Sequence, residues 1–63
     1  MSQFLINLKK RVYLVESDDY DGSVISIHER SHHRMVYVLE PSLELQDLAE
    51  QVAARIYVQQ NEQ

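Results

Sequence analysis

An acidic run closed by a glycine is the part of this sequence that most resembles a metal-binding loop. Ser17-Asp18-Asp19-Tyr20-Asp21-Gly22 puts oxygen-bearing side chains at positions one, three and five and glycine at position six, as a calcium loop does. Position twelve is His28, where such a loop needs a bidentate glutamate, and the flanking residues have strand patterns rather than helical ones. The run therefore favours a solvated hairpin turn, which is also a suitable docking point for a basic partner.

Three histidines, His28, His32 and His33, form a second group that can ligate a metal. Neighbouring residues of a strand point to opposite faces, so His32 and His33 share one ion only if they lie in a loop. The remaining possibility is a metal held across a hairpin by His28, by one of these two histidines and by Glu29 as a third ligand. The pattern favours a solvent-exposed loop, and we predict no metal and no cofactor.

Catalytic motifs are missing from the sequence, although serine, histidine and aspartate all occur. There is no nucleophile elbow, no glycine-rich loop and no His-Glu-x-x-His pair. A chain of 63 residues also offers little concave volume for a substrate. We therefore expect a protein that is not an enzyme and has no catalytic residues.

Two short runs of basic residues, called the basic steps here, are the features of this sequence that could bind nucleic acid. Lys9, Lys10 and Arg11 form the first step, and the second runs from Arg30 to Arg34. Basic strand ends with nearby tyrosines can form a surface that binds phosphates and stacks bases. A net charge of −4 opposes this use and favours charges that protect sheet edges from stray pairing. Nucleic-acid binding through these two steps stays the alternative function.

Size and composition make association attractive for this chain. A domain of 63 residues has a small core, and natural domains of this size usually add a stabilising device. The chain has no cysteine, which excludes disulfides and leaves oligomerisation. No apolar stretch approaches the length of about 20 residues that spans a bilayer. We expect a cytoplasmic protein that binds neither a membrane nor a small molecule.

Alternating apolar residues predict three strands, within residues 11–16, 23–29 and 34–40. Residues 1–10 form an N-terminal strand or an arm before the sheet of residues 11–40. If residues 3–8 are a strand, it either runs unbroken to Glu16 or is a separate short strand, with Lys9 and Lys10 as a bend. Pro41 and Ser42 end the sheet and cap a helix over residues 42–58, and residues 59–63 form a frayed tail. The apolar stripe of that helix includes Leu45, Leu48, Ala49, Val52, Ala53, Ile56 and Tyr57. The prediction is one small two-layer α+β domain, a three-stranded antiparallel sheet followed by one C-terminal amphipathic helix.

The strands carry apolar residues on both faces, and one helix covers only one of them. If Val12, Leu14, Ile25 and Ile27 face the helix, the opposite face is free for self-association. That candidate set is Tyr13, Val15, Val24, Val36 and Val38. The candidate partner-facing charges lie on the acidic turn and the outer side of the helix: Glu16, Asp18, Asp19, Asp21, Asp47 and Glu50.

The layout of an acidic turn at Asp18-Asp19 and Gly22, followed by a helix from Leu45 to Ile56, is similar to that of HicB-type antitoxins. The chain lacks the Thr-x-x-Glu-Ala helix start and the preceding turn with glycine that mark that family. Layout alone implies little about function. We expect a small regulatory, inhibitory or accessory protein of a bacterium or phage, acting as a homodimer or bound to a larger protein. An antitoxin-like protein belongs to the nucleic-acid alternative.

Overall fold

The protein is a four-stranded antiparallel sheet with one C-terminal helix packed on one face, in a computed structural model that describes residues 1–62. The strands follow the chain in the order β1-β2-β3-β4. The predicted two-layer α+β fold is confirmed, and the sheet has one strand more than predicted. The elements are β1 Ser2–Leu8, β2 Arg11–Ser17, β3 Val24–Ser31, β4 Arg34–Tyr37 and α1 Leu43–Asn61.

The extra strand is β1, which pairs with β2 along its whole length, from Ser2 opposite Ser17 to Leu8 opposite Arg11. The arm alternative for residues 3–8 is therefore wrong. Lys9 and Lys10 form a two-residue hairpin turn with φ of 51° and 65°. Two positive φ values define the type I′ turn, whose twist matches that of the strands it joins.

The β2–β3 connection is the predicted acidic turn, and Gly22 is the residue whose backbone conformation and close packing the turn requires. Gly22 has φ of 78°, a region that L-residues with side chains enter only at a cost. A Cβ atom at this position would lie 2.8 Å from Cβ and Cγ of Tyr57. The turn thus packs directly against the last part of α1. Next to it, a bulge between Glu16 and Ser17 shifts the register of β3.

The helix begins where predicted, because the Ser42 side chain accepts a hydrogen bond from the Leu45 amide at 3.2 Å. It ends later than predicted, at Asn61, so Gln59 and Gln60 are helical rather than a frayed tail. Polar residues continue a helix when solvent is on all sides, and no glycine or proline stops this one. Gln63 lies outside the described residues. In the sheet, β3 extends to Ser31 and β4 ends at Tyr37, three residues before the predicted end.

The core lies between α1 and one face of the sheet. The register places Ile6 opposite Tyr13 and Val15 opposite Ile27, and all four side chains are buried. From the helix, Leu45, Ala49 and Ala53 are buried against them, whereas Leu48, Val52 and Ile56 are only half-buried. Two small alanines at the centre let the helix backbone approach the sheet closely.

Candidate functional site

The sheet face opposite α1 carries a row of side chains that crosses all four strands. Directly opposed residues of antiparallel strands lie on the same face. The register pairs Leu5 with Leu14, Leu14 with His28, and His28 with Tyr37. Leu5 is 64% exposed and Tyr37 is 53% exposed. We call this the uncovered face; with its flanking rows it comprises Gln3, Leu5, Asn7, Val12, Leu14, Glu16, Ser26, His28, Arg30, Met35 and Tyr37.

His28 is the polar member of the central row. Its ring lies edge-on to the ring of Tyr37, with centroids 5.4 Å apart and planes inclined by 67°. Its Nδ1 atom is shielded from solvent and has no hydrogen-bond partner within residues 1–62. A proton on Nδ1 would be a buried donor without an acceptor, which costs more than a bare lone pair. This cost favours the tautomer with the proton on Nε2 over the one with the proton on Nδ1.

Opposite charges flank the central row on the two sides. Glu16 pairs with Ser26 in the row nearer the acidic turn, and Arg30 pairs with Val12 and Met35 in the row nearer the two hairpin tips. Neither Glu16 nor Arg30 forms an ion pair within residues 1–62. The uncovered face thus has an apolar centre between one free carboxylate and one free guanidinium.

The predicted self-association residues lie on the other face, and that part of the prediction is wrong. Tyr13 and Val15 are buried beneath α1, with 8% and 0% exposure. Val24 and Val38 pack against the same core, and Val36 is opposite Glu29 on that side of β4. Of the residues expected to face the helix, Ile27 does so, while Val12 and Leu14 face away.

A shallow groove follows the edge of β3 beyond the end of β4, and it accounts for the exposure of Ile25. The pairing of β3 with β4 stops at His28 opposite Tyr37, after which the Val38 amide donates to the Ile27 carbonyl at 2.9 Å. The chain then turns toward Pro41, so the first residues of β3, Val24 to Ser26, have no strand paired to them on the β4 side. The groove is where the chain leaves the sheet for the helix.

Both basic steps lie at one end of the sheet, because the β1–β2 and β3–β4 turns are on the same side of an up-and-down sheet. Of the six lysines and arginines of the chain, only Arg55 lies elsewhere. We call this the basic end: Lys9, Lys10, Arg11, Arg30, His32, His33 and Arg34. Lys9 contacts Glu44 at 3.6 Å and Arg11 contacts Glu29 at 3.8 Å. In the sequence the two basic steps are about 20 residues apart. They lie at the same end of the sheet because residues 2–8 form a strand, which makes the β1–β2 turn a second hairpin beside the β3–β4 turn.

The two tips of the basic end are strained. His32 and His33 have φ of 50° and 66°, as Lys9 and Lys10 do in the other tip, so both turns are type I′. The left-handed region costs residues with a Cβ about 1–2 kcal/mol each, and Asn-Gly is the pair this turn prefers. A sequence selected for hairpin stability alone would not place Lys-Lys and His-His here.

The acidic turn uses its carboxylates within its own structure. Asp18 accepts a hydrogen bond from the Tyr20 amide at 2.7 Å, and Asp21 accepts one from the Ser23 amide at 2.9 Å. Asp19 contacts the Met1 amino group at 2.7 Å and accepts from the Ser2 hydroxyl. The three aspartates proposed as partner contacts are therefore turn-forming groups first, although all remain at the surface.

These contacts lower the pKa values of two carboxyl groups, those of Asp19 and Asp21. The Met1 amino group and then the Ser2 hydroxyl hold the pKa of Asp19 below its usual value. The Ser23 hydroxyl and amide lower the pKa of Asp21 in the same way. In return, the Asp19 carboxylate raises the pKa of the Met1 amino group. The turn is therefore held most firmly when both aspartates are ionised.

The two helical acids do not join the acidic turn in one surface. Asp47 accepts a hydrogen bond from the Gln51 side chain at 3.0 Å, one turn further along α1. Ten residues separate Asp47 from Tyr57, the residue that contacts the turn, which is about 15 Å of helix. Glu50 lies beside the β3 groove instead. The predicted acidic surface is thus divided between two parts of the molecule.

No three His, Asp or Glu side chains of residues 1–62 come together as a metal site. Ser31 Oγ lies 3.1 Å from His32 Nδ1 at an exposed hairpin tip, with no carboxylate to orient the imidazole. No helix within the described residues is long and apolar enough to cross a membrane.

Comparisons with known proteins give no relative on which to base a function. No family model matches the chain, and no curated protein or solved structure matches it significantly. The arguments for function therefore rest on the uncovered face and the basic end.

Proposed function

We propose that this protein is a non-enzymatic interaction module, a small regulatory or accessory protein whose uncovered face binds a second copy of the chain. The observation that carries the proposal is the row from Leu5 through Leu14 and His28 to Tyr37. Leu5, Leu14 and the ring of Tyr37 make this row largely apolar, with His28 as its polar member, and covering such a patch favours association. Pairing two sheets through these faces buries it, with the sheets about 10 Å apart.

The charges beside the row distinguish between the two arrangements in which a two-fold axis keeps the strands of the two sheets aligned. An axis parallel to the strands brings Arg30 near the Arg30 of the other copy and Glu16 near its Glu16, which is repulsive. An axis along the central row turns the second sheet end over end, so Arg30 of each copy lies near Glu16 of the other. Opposed charges fix the register of such an interface. The second arrangement is the head-to-tail dimer.

The ends of the molecule support the same arrangement. In the head-to-tail dimer the basic end of one copy lies over the acidic turn of the other, where the lowered pKa values of Asp19 and Asp21 keep these two groups charged at neutral pH. Long-range attraction of this kind mainly raises the association rate and falls with added salt. The dimer should therefore form faster at low ionic strength.

The size of the face limits the strength of the dimer. Four strands about 4.8 Å apart and about 20 Å long project an area of about 400 Å². That is below the roughly 800 Å² per partner of a standard stable interface, so the dimer belongs to the weak class. We expect a Kd in the micromolar range, about 8 kcal/mol of association free energy.

Sedimentation equilibrium of the full chain tests the proposal. Wild type should shift from 7.4 kDa toward twice that mass as its concentration rises through the micromolar range. Leu5→Asp should raise the Kd about tenfold or more, because it places a charge in the apolar centre. Leu43→Asp is the matched control, since Leu43 is 83% exposed at the start of the helix, where a negative charge is tolerated. A wild-type monomer at all these concentrations would overturn the proposal.

A charge exchange tests the arrangement of the two copies. Arg30→Glu alone should weaken the head-to-tail dimer, because it puts two glutamates together at each Arg30–Glu16 contact. Adding Glu16→Arg in the same chain restores opposite charges and should restore most of the affinity. If Arg30→Glu leaves the Kd unchanged, the axis runs along the strands, where the substitution only exchanges one like-charged pair for another, and the head-to-tail arrangement is wrong.

A further inference from the structure

We infer that the basic end binds the phosphate backbone of duplex DNA without reading its sequence. This inference concerns the end of the sheet rather than its face, and Arg30 is the residue that it shares with the proposed dimer. Its starting point is the convergence of five of the six lysines and arginines on one end of the sheet. Lys10, Arg30 and Arg34 form no ion pair within residues 1–62 and are free for an external anion.

Protection of sheet edges does not account for this placement. Protective charges lie along the outer strands, where they block pairing with another chain. Arg11 and Arg30 lie instead on β2 and β3, the two inner strands. Of the other basic residues, Arg34 begins the outer strand β4, and the remaining four, Lys9, Lys10, His32 and His33, are in the two tips, in left-handed conformations that Asn-Gly would adopt more easily. Strain kept at a surface turn points to a function for the side chains that bear it.

The width of the basic end suits duplex DNA. The centres of the two tips, one between β1 and β2 and the other between β3 and β4, are two strand spacings apart, about 10 Å, and long side chains extend outward from both. The major groove of B-form DNA is about 12 Å wide. One tip, with Lys9 and Lys10, can therefore approach the phosphates on one rim while His33 and Arg34 of the other tip approach the opposite rim. Such a contact follows the groove width rather than the base sequence, and it is purely electrostatic.

The net charge of −4 does not prevent this contact, because the charges are separated along the molecule. Between Arg11 and Ser17, β2 spans about 20 Å, and the acidic turn lies beyond it. The Debye length at physiological salt is about 8 Å, so the acidic turn is more than two screening lengths away. At the basic end itself, five lysines and arginines outnumber the two carboxylates that contact them, Glu29 and Glu44, so the local field at the tips is positive.

The same residues argue against other anionic partners. The tips contain no apolar side chain that could enter a lipid interface, as peripheral membrane proteins require. Three arginines, Arg11, Arg30 and Arg34, provide the planar donors that bind phosphate in a bidentate manner. Duplex DNA also offers phosphates on two rims at the spacing of the two tips, which an acidic peptide does not.

Fluorescence anisotropy with a labelled mixed-sequence DNA duplex tests the inference on the full chain. We expect binding at low salt with equal affinity for two unrelated sequences. Three to five phosphate contacts give a slope of log K against log salt of about −3 to −4.5, a loss of about 60- to 500-fold between 50 and 200 mM. No binding at low salt, a slope near zero, or binding to phosphatidylserine vesicles without binding to DNA would each overturn the inference.

Substitutions in the first tip separate binding from folding. Lys9→Asn with Lys10→Gly gives the turn its preferred pair, so the melting temperature should rise while DNA affinity falls about tenfold and the salt slope shrinks by about 2. Lys10→Arg should keep the affinity. Arg55→Glu reverses an exposed charge on α1 as a control and should change affinity by less than Lys10→Glu does. Equal effects of Arg55→Glu and Lys10→Glu would overturn the assignment of the site to the tips.

Discussion

At the scale of single residues, Gly22 is the position where the backbone and the packing both exclude a side chain. Its φ of 78° and the 2.8 Å approach of Tyr57 act together. Gly22→Ala should lower the free energy of unfolding by about 1–2 kcal/mol for the left-handed conformation alone, and by more for the contact. Urea denaturation measures this, with Tyr20→Ala as the control because Tyr20 is 92% exposed. Equal midpoints for the two variants would contradict the packing of the turn on α1.

Asp19 makes the stability of the protein depend on pH. Its pKa is lower in the folded protein than in the unfolded chain, chiefly because of the Met1 amino group and then the Ser2 hydroxyl. The stabilisation is therefore present above the unfolded pKa and is lost as the pH falls through the folded pKa. Wild type should lose more stability between neutral and acidic pH than Asp19→Asn does. Glu50→Gln is the control, since Glu50 forms no ion pair within residues 1–62, and thermal melts across the pH series make the comparison.

At the scale of elements, the helix depends on small side chains where it meets the sheet. Ala49 is fully buried, while Ala54 on the same helix is exposed. Ala49→Leu should cost about 1–3 kcal/mol because the larger side chain pushes the helix away from the sheet. Ala54→Leu should be nearly neutral, and the pair differs only in position. A comparable loss for both variants, measured by urea denaturation, would show that the assignment of the buried face is wrong.

The sequence predicted the elements that have clear local signals. Ser42 after a proline marked the start of the helix, and Gly22 after three aspartates marked the central turn. The strand β1 stayed ambiguous because Lys9-Lys10 is not a pair that type I′ turns usually contain. The predicted end of α1 was three residues too early because the sequence after residue 58 contains no glycine or proline that would mark the end of a helix, only polar residues such as Gln59.

The face of the sheet beneath the helix could not be read from periodicity. Val12 and Leu14 alternate with Tyr13 and Val15, so both faces of β2 are equally apolar in the sequence. A shift of one residue exchanges the two faces. In β3 the bulge beside Ser17 breaks the alternation, which places Val24 and Ile27 on one face although they are three residues apart. The row of the uncovered face emerges only from the register of three strand pairs.

At the scale of the whole molecule, the charges form a dipole along the strands, with the basic end opposite the acidic turn. This separation of charge underlies both the proposed head-to-tail dimer and the proposed binding of DNA by the basic end. In the head-to-tail dimer the acidic turn of one copy covers the basic end of the other, about 10 Å away across the interface. That distance is close to one Debye length, so the covering charges weaken attraction for phosphate. The two proposals together therefore predict that the monomer binds DNA and that the dimer does not.

Dimerisation and DNA binding should therefore oppose one another, and thermodynamic linkage requires the opposition to be reciprocal. Leu5→Asp, which removes the dimer but leaves the basic end intact, should bind the labelled duplex more tightly than wild type at protein concentrations above the dimer Kd. Below that Kd the two proteins should bind equally. In the reverse direction, an unlabelled duplex in excess should shift wild type toward one copy per complex in sedimentation. Leu43→Asp adds the same charge as Leu5→Asp without touching the uncovered face, so it should behave as wild type in both experiments. Tighter binding by wild type above the dimer Kd would show that the dimer presents both basic ends to DNA, and would contradict the end-over-end arrangement.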